Sequence, residues 1–532
     1  MHPSGSISDC FHAWEDFLGN DKDRSFLLNG IQNGFDVVQT KGIPVSVEQN
    51  NYKSTTENFV LVEKQISQEI CEGRYKLVTE KPLLISALGA IPKPNGDLRL
   101  IHDCSRPPDL AVNDYVQEQE QFSYQTVKDA TNLIEQGYYM CKVDLKSAYR
   151  SVKVNPSNYK FLGLKWCFND SLKPTYMVDT RLPFGSKLAP GIFNRLSQAI
   201  RRRMQVIYNI HLVAYLDDFF IAAPNFEQCQ SQMLTLINVL RKLGFSISWQ
   251  KLISPTQFIT FLGIQIDSRA MTLSLPEDKI SNILNLLQNM MLQKRAAKRQ
   301  LESLAGKLVF ASQIVQGGRI YLRRMLTFIC KLKRPHHKAK LTSDFLKDLH
   351  WWILCIRSFN CKNILPIYTK THIVRTDACN IGAGFIFNSD WGYVHWEGDF
   401  PKAASLHINH KEILAISLAI KRWAPLFAGG NIIVCTDSTV ARDTIKKGTS
   451  RHPLVMEALR EVFWLSAFYN FSIEASHVPG ITNDGPDVIS RLHIAKCQYL
   501  FDNICLKYSL IVQPWWFHMS KFSFSFLSQA SK

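Results

Sequence analysis

The sequence predicts an α/β (α+β) protein with more than one domain, and three observations lead there. Short apolar and aromatic runs bounded by Gly, Pro, Asn or Asp read as strands. They alternate with longer stretches of helical periodicity, such as residues 410–423. A chain of 532 residues is also longer than one hydrophobic core ordinarily serves.

In chain order, residues 57–71 read as a helix, and Asn95-Gly96 marks a hairpin turn within 90–103. Residues 138–149 read as a short strand that delivers Asp144 at its end and then turns. Residues 182–190 lead into a helical stretch at 191–195. Residues 211–223 read as a β-hairpin whose tight turn holds Asp217 and Asp218 between apolar runs. Paired negative charge is poorly placed there unless divalent cations neutralise it, and hard oxygen ligands suit Mg²⁺. An Asp-Asp pair alone is weak, since about one or two are expected by chance in a chain this long. Asp144 strengthens it: three carboxylates on neighbouring strands can hold two ions, which about 3.5–4 Å apart promote in-line displacement at phosphorus.

The C-terminal third carries a second acidic set. A strand over 372–379 ends in Asp377, and 382–387 and 393–396 continue an antiparallel meander. Residues 410–423 read as an amphipathic helix with Glu412 in its first turn. A buried strand over 431–438 ends in Asp437, and 471–480 leads past His477 to Asn483 and Asp487. Taken singly, each acid reads as a helix cap or surface charge. Together they suffice for a two-metal site that activates water against a phosphodiester.

These blocks resemble a reverse transcriptase of the retrotransposon type followed by ribonuclease H, over roughly residues 75–492. Tyr-Leu-Asp-Asp at 215–218 matches the polymerase box, and Asp-Leu-Lys-Ser-Ala-Tyr at 144–149 matches the first carboxylate box. Residues 90–103 look like the fingers hairpin, which offers Lys93 and Arg99 to the triphosphate. Residues 182–190 resemble the block under the incoming nucleotide and template base; Leu243-Gly-Phe245 with Lys251 resembles the next block, and 261–264 the primer grip. The resemblance implies that Tyr149 stands under the sugar and excludes a 2′-hydroxyl, selecting deoxynucleotides. Phe184 stands where retroviral enzymes carry Gln and gypsy-like or DIRS-like enzymes carry Phe, which favours the transposon branch. His-Asp-Cys-Ser-Arg-Pro at 102–107 and the stretch 144–150 resemble the DIRS-like group, with gypsy-like as second choice.

By the same resemblance Asp377, Glu412, Asp437 and Asp487 form the ribonuclease H quartet, with His477 assisting product release. Pro486 stands where these enzymes carry Ala, and proline suits a first helical turn. Asp487 is therefore the expected ligand and Asp484 the fallback. The implied fold is a right-hand polymerase followed by a ribonuclease H-like mixed-sheet domain. The lead-in covers 1–74, fingers and palm 75–275, a basic helical thumb 276–345, a short helix and linker 346–370, ribonuclease H 371–492 and a tail 493–532.

A net charge of +17 suits a polyanionic partner without naming one. Placement says more: residues 294–340 carry thirteen Lys or Arg against one acid, Glu302, on helical sequence. The stretch reads as a solvated basic face, as a nuclear localisation signal at 331–335, or, following the primer grip, as a thumb tracking the template–primer backbone with salt-dependent affinity. Residues 343–357 read as one helix with Trp351 and Trp352, followed by a linker near Pro366. Thirteen scattered cysteines with no Cys-x-x-Cys pair fit reduced thiols and an intracellular setting, cytoplasmic or nuclear. The N-terminus lacks a signal-peptide core, and 508–520 is too short and polar to span a membrane. Residues 493–532 read as aromatic and irregular, with Trp515-Trp516.

The expected function is RNA-directed DNA synthesis with hydrolysis of the RNA strand of RNA–DNA hybrids, using two Mg²⁺ or Mn²⁺ ions per active site. The expected partners are an RNA template, a DNA primer, the hybrid and deoxynucleotides, with no membrane. A recombinase or integrase lies on another protein. The alternative is a degenerate or co-opted element that binds hybrids without catalysis; the presence of all seven carboxylates with Lys93, Arg99 and Tyr149 argues against it.

Overall fold

The structure, a computed structural model, describes residues 6–39, 46–92, 96–116, 122–364 and 370–511. The chain forms two compact units, residues 1–271 and 272–532. Lys93, Asn95, the segment around Pro366 and the Trp515-Trp516 pair lie outside the described residues.

In the first unit, helices α1 (Phe11–Leu18) and α2 (Arg24–Asn33) precede α3 (Phe59–Cys71). Strands β1 (Leu88–Pro92) and β2 (Leu98–His102) form the antiparallel hairpin expected around Gly96, with Ala90 opposite Leu100. Next come β3 (Tyr139–Asp144), β4 (Gly163–Trp166), β5 (Thr175–Asp179) and the long α4 (Ala189–Tyr208). Strands β6 (Leu212–Tyr215) and β7 (Asp218–Ala223), helix α5 (Phe226–Lys242) and β8 (Ile253–Thr256) follow. The sheet that carries the acids runs β8-β3-β7-β6. Alternation along β7 buries Phe219 and Ile221 against α4 and α5, in a core that includes Phe193, Leu196, Leu236 and Leu240.

Residues 6–38 contribute to this core. Trp14 is fully buried and donates its indole N–H to the Leu243 carbonyl at 2.9 Å. Arg202 of α4 binds Asp21 and Asp23 at 2.7 and 2.8 Å. A second buried junction lies behind the first carboxylate box. Arg150 bonds Asp179 at 2.9 Å and Glu69 of α3 at 2.8 Å, which compensates its desolvation.

In the second unit, α6 (Glu277–Met291) carries two acids against one lysine, and α7 (Lys298–Ala311) and α8 (Arg323–Cys330) carry basic residues of the stretch 294–340. They are not the whole of that region. Strands β9 (Arg295–Ala297) and β10 (Lys338–Lys340) pair as an antiparallel ribbon where helix alone was expected. Helix α9 (Ser343–Ser358) follows, capped by the Thr342 hydroxyl, which accepts from the Phe345 N–H at 3.3 Å. The helix read over 343–357 is thus present, and one face of it is buried. Its Asp348 meets Arg324 at 3.0 Å and Arg460 at 3.6 Å, and Tyr321 stacks on Trp351 at 3.9 Å.

The remaining elements are β11 (Thr371–Ala378), β12 (Gly382–Phe387), β13 (Asp390–His395), α10 (Ile408–Trp423), β14 (Asn431–Thr436), α11 (Thr439–Lys447), α12 (Pro453–Tyr469), β15 (Ser472–His477), α13 (Asp484–Ser490) and α14 (Ala495–Tyr508). Their sheet runs β13-β12-β11-β14-β15, antiparallel on the meander side and parallel between β11, β14 and β15. This is the mixed sheet expected.

Two sequence expectations need correction here. Helix α10 is not amphipathic over 411–420, where every residue is buried, and Glu412 sits in its second turn. Residues 493–511 are not irregular. Helix α14 packs Phe501, Ile504 and Cys505 on Trp391, Tyr393 and Ile489, so the core extends past residue 492. Among the described residues, no helix is long and apolar enough to cross a membrane.

Candidate active sites

The strand register brings the first acids together. Asp218 opens β7 directly opposite Asp144, the last residue of β3, and opposite Tyr215 on the other side. The turn between β6 and β7 is tight: Leu216 takes a left-handed φ of 52°. Ser197 of α4 donates to the Leu216 carbonyl at 2.6 Å, and the Leu145 N–H donates to the Asp217 carbonyl at 3.1 Å. Two independent elements thus anchor the backbone that carries the acids.

Charge at this site is strained. Burial pushes Asp218 up to about 6, with repulsion from Asp217 and Asp144 adding to it and Lys142 opposing. Asp217 is raised as well, by burial and then by Asp144. Lys251 Nζ lies 3.1 Å from Asp144 Oδ1, and Lys142 Nζ lies 3.3 Å from Asp218 Oδ1. Lys251 was a sequence candidate, but Lys142 was missed. Its signal was available, because two residues before Asp144 on one strand it shares Asp144's face.

Beside the acids, Tyr149 meets Phe184 edge-on at 5.3 Å and Phe193 at 5.2 Å. The Arg99 guanidinium lies 5.5 Å from the Phe184 ring centre. Three sequence candidates from three distant segments therefore meet. The loop that carries Phe184 is held from below. The His102 N–H donates to the Phe184 carbonyl at 3.1 Å, and Asn113 bonds the Gly185 carbonyl at 2.9 Å and the Lys187 N–H at 2.7 Å. Gly185 has φ of +134°, and a Cβ there would lie 2.0 Å from the His102 carbonyl oxygen, so glycine is required. Asn113 carried no local signal.

In the second unit Asp377, Glu412 and Asp437 offer carboxylate oxygens all within 4.8 Å of one another, a spacing suited to metal binding. Each comes from a different element: Asp377 from β11, Glu412 from α10, and Asp437 from the residue after β14. The Ala378 N–H donates to Glu412 Oε1 at 3.3 Å, whereas the buried Glu412 Oε2 has no hydrogen-bond partner. Burial, then repulsion from Asp377 and Asp437, pushes Glu412 up to about 9. Burial also raises Asp377 to about 7, with Asp487 and Asp437 adding repulsion. The donor set is oxygen only, and its repulsion is the kind a hard divalent cation relieves.

His477 closes β15, exposed, with Thr436 as its register partner. Asp487 lies half-buried in α13, pairs with Arg491 and repels Asp377. Asp484 is engaged elsewhere. Despite burial, hydrogen bonds from Lys507 and Tyr508 hold it below its ordinary value, Tyr508 Oη donating at 2.7 Å. Pro486 falls in the first turn of α13, where its missing N–H costs nothing. Ser490, missed by sequence reasoning, donates to Asp377 Oδ2 at 2.6 Å and ties α13 to β11.

Comparison with known proteins agrees with this architecture. Residues 91–266 match the family described as reverse transcriptase (RNA-dependent DNA polymerase). A putative enzymatic polyprotein of Cassava vein mosaic virus is 23% identical over 390 residues, covering 69% of this chain and 55% of the relative. The enzymatic polyprotein of Cauliflower mosaic virus (strain D/H) is 23% identical over 325 residues, 58% of this chain and 45% of the relative. The chain thus spans about half the length of these two relatives. The Gag-Pol polyprotein of gibbon ape leukemia virus is 28% identical over 125 residues, 23% of this chain and 7% of the relative. Among solved structures, the foamy viral protease-reverse transcriptase in complex with dsDNA is similar in fold. Its TM-score is 0.51 at 16% identity, over 88% of this chain and 97% of that one. The same protein in complex with RNA/DNA hybrid gives 0.52 at 16% identity, over 87% and 62%. The chain therefore carries a reverse transcriptase domain of the kind found in retroelement and viral polyproteins.

Proposed function

We propose that this chain is the RNA-directed DNA polymerase of a retrotransposon, of the DIRS-like group with the gypsy-like branch as second choice, and that its C-terminal region hydrolyses the RNA strand of RNA–DNA hybrids. The observation that carries the reading is the register of Asp218 against Asp144, with the Tyr149–Phe184–Arg99 group beside it. Asp144, Asp217 and Asp218 would hold divalent cations at the first site, and Asp377, Glu412, Asp437 and Asp487 at the second. Held there, two Mg²⁺ or Mn²⁺ ions per site would supply charge stabilisation to the reacting phosphoryl oxygens and would favour deprotonation of the attacking hydroxyl or water.

The protein side chains do the rest. Lys142 and Lys251 offset the carboxylate charge and keep the acids ionised as nucleotide enters. Arg99, together with Lys93, meets the triphosphate. Tyr149, backed by Phe184 and Phe193, fills the space beneath the sugar and rejects a 2′-hydroxyl. In the second site Ser490 orients Asp377, and exposed His477 assists departure of the product. The RNA template, DNA primer and hybrid are the expected partners. That reading is supported by the net charge of +17 and by the dsDNA and RNA/DNA hybrid in complex with the similar foamy viral protein.

The test is homopolymer-templated primer extension by the purified protein in Mg²⁺ or Mn²⁺, alongside cleavage of a labelled RNA–DNA hybrid. Asp144→Asn, Asp217→Asn and Asp218→Asn should each lower DNA synthesis by orders of magnitude and leave cleavage intact. Near-normal extension by all three variants would sink the polymerase reading. A wild-type protein that binds hybrid and does neither reaction would favour the non-catalytic alternative.

A further inference from the structure

The thirteen Lys and Arg of residues 294–340 are not spread evenly over the helices. Ribbon β9–β10 brings the two ends of the stretch together, with Arg295 opposite Lys340 and Ala297 opposite Lys338. Side chains alternate along a strand, so Ala296, fully buried, faces inward while Arg295, Lys338 and Lys340 share the exposed face. The ribbon runs on into the first turn of α7: the Lys298 and Arg299 N–H groups donate to the His337 and Pro335 carbonyls, both at 3.1 Å. Lys294, Arg299, Lys331, Lys333 and Arg334 are exposed in the segments that flank it.

Among the described residues, none of these eight basic side chains pairs with a carboxylate. The single acid of the stretch, Glu302, is taken by Lys298 at 3.6 Å. Of the other basic residues of the region, Arg324 is occupied by Asp348 at 3.0 Å and Lys307 by Asn282 at 2.9 Å, which leaves Arg319 and Arg323 as the cations outside the ribbon and its flanks that pair with no carboxylate among the described residues. Like charges directly opposite one another weaken a strand pair. Arg295 facing Lys340 is therefore unfavourable in the protein alone and favourable against a polyanion.

We propose that this ribbon is the phosphate-gripping surface of the region and binds the sugar–phosphate backbone of the template–primer duplex. The inference rests on the polymerase reading, and it assigns the grip to three paired-strand side chains rather than to the helices. Lys338 and Lys340, two residues apart, are separated by roughly 6.6 Å. That is about two of the 3.4 Å charge steps along one nucleic-acid strand, so both can serve a single backbone. An import receptor that reads residues 331–335 as extended chain is disfavoured, because the Pro335 and His337 carbonyls and strand 338–340 already have backbone partners.

The experiment is equilibrium binding of labelled DNA duplex and RNA–DNA hybrid to the full chain between about 50 and 200 mM salt. The triple variant Arg295→Gln/Lys338→Gln/Lys340→Gln should flatten the slope of log affinity against log salt by about two to three units, alike for duplexes of different sequence. A triple outside the ribbon, Lys307→Gln/Arg319→Gln/Arg323→Gln, should flatten it by less than about one unit. Melting of each variant guards against misfolding; if the ribbon triple melts early, Lys340→Gln alone should still flatten the slope by about one unit. An unchanged slope in the ribbon variants, the reverse ranking of the two triples, or loss of nuclear import with unaltered duplex binding would overturn the proposal. Binding is read without nucleotide, so a wild-type protein that fails to extend primers would strike the polymerase reading and leave this measurement valid.

Discussion

Tyr149 and Asp487 show how much a single side chain can decide. Tyr149 is packed edge-on against Phe184 and against Phe193, a setting that suits the sugar-excluding role proposed for it. Tyr149→Ala should therefore lower the deoxy-over-ribonucleotide ratio of kcat/KM by roughly tenfold or more. An unchanged ratio would move discrimination to another residue. At the second site, Asp484 is occupied by Lys507 and Tyr508, while Asp487 repels Asp377 from half-buried helix α13. Asp487→Asn is expected to abolish cleavage of a labelled hybrid with polymerisation retained, and Asp484→Asn to leave cleavage largely intact. The opposite pattern would exchange the two ligand assignments. Full activity in both variants would remove the hydrolase reading.

At the scale of elements, the second site depends on one close approach. Helix α13 lies so near β12 that a Cβ on Gly384 would sit 2.5 Å from the Pro486 carbonyl oxygen and 2.6 Å from the Ser490 nitrogen. Both contacts are backbone and cannot rotate away. Gly384→Ala should cost about 1–3 kcal/mol of stability in the second unit. It should also displace Ser490 and Asp487 from Asp377, so cleavage falls at least tenfold while DNA synthesis in the first unit is unaffected. Unimpaired cleavage would show that α13 can shift without harm to the acids. This contact was not legible in the sequence. The strands, the helix and the spacing of His477 to Asp487 follow local pattern, but the intimacy of α13 with β12 depends on Gly384, Pro486 and Ser490, which are far apart in the sequence. Helix α14 escaped for a related reason. Its buried face is narrow, Phe501, Ile504 and Cys505, while Tyr499 and Leu506 of the same helix are exposed, so the periodicity is blurred and the face is defined only by its packing on Trp391 and Tyr393.

For the whole molecule, the two acidic sites belong to different compact units, and each should respond to metal through its own strained carboxylates. Glu412 is ordinarily near 4.5 and is pushed to about 9 by burial; Asp377 is ordinarily near 3.8 and is pushed to about 7. Between each pair of values the folded state binds more protons than the unfolded one, so stability falls as pH rises through that window. In EDTA the melting temperature of the second unit should therefore decline from pH 6 to pH 9. Mg²⁺ should restore it by an increment that grows with pH, because metal replaces the bound protons. Glu412→Gln should lose the part of the decline above about pH 7. A melting temperature in EDTA that is flat across this range, and the same in wild type and variant, would contradict the strain assigned to this site.

What the sequence by itself determined is the set of elements and the acids they end in. Strand and helix periodicity, turn residues and motif spacing are local, and they carried Asp144, Asp217, Asp218, Asp377, Glu412 and Asp437 to the ends or early turns of the correct elements. Tertiary structure alone decided which groups meet those acids. Lys251 reaches Asp144 across 107 positions, Ser490 reaches Asp377 across 113, and Asn113 holds the Gly185 loop across 72. It also folded a stretch of basic residues into a ribbon with its charges on one face. The physical reason is that periodicity reports which side of an element is apolar, whereas a hydrogen bond or ion pair between distant segments exists only once the whole chain has packed.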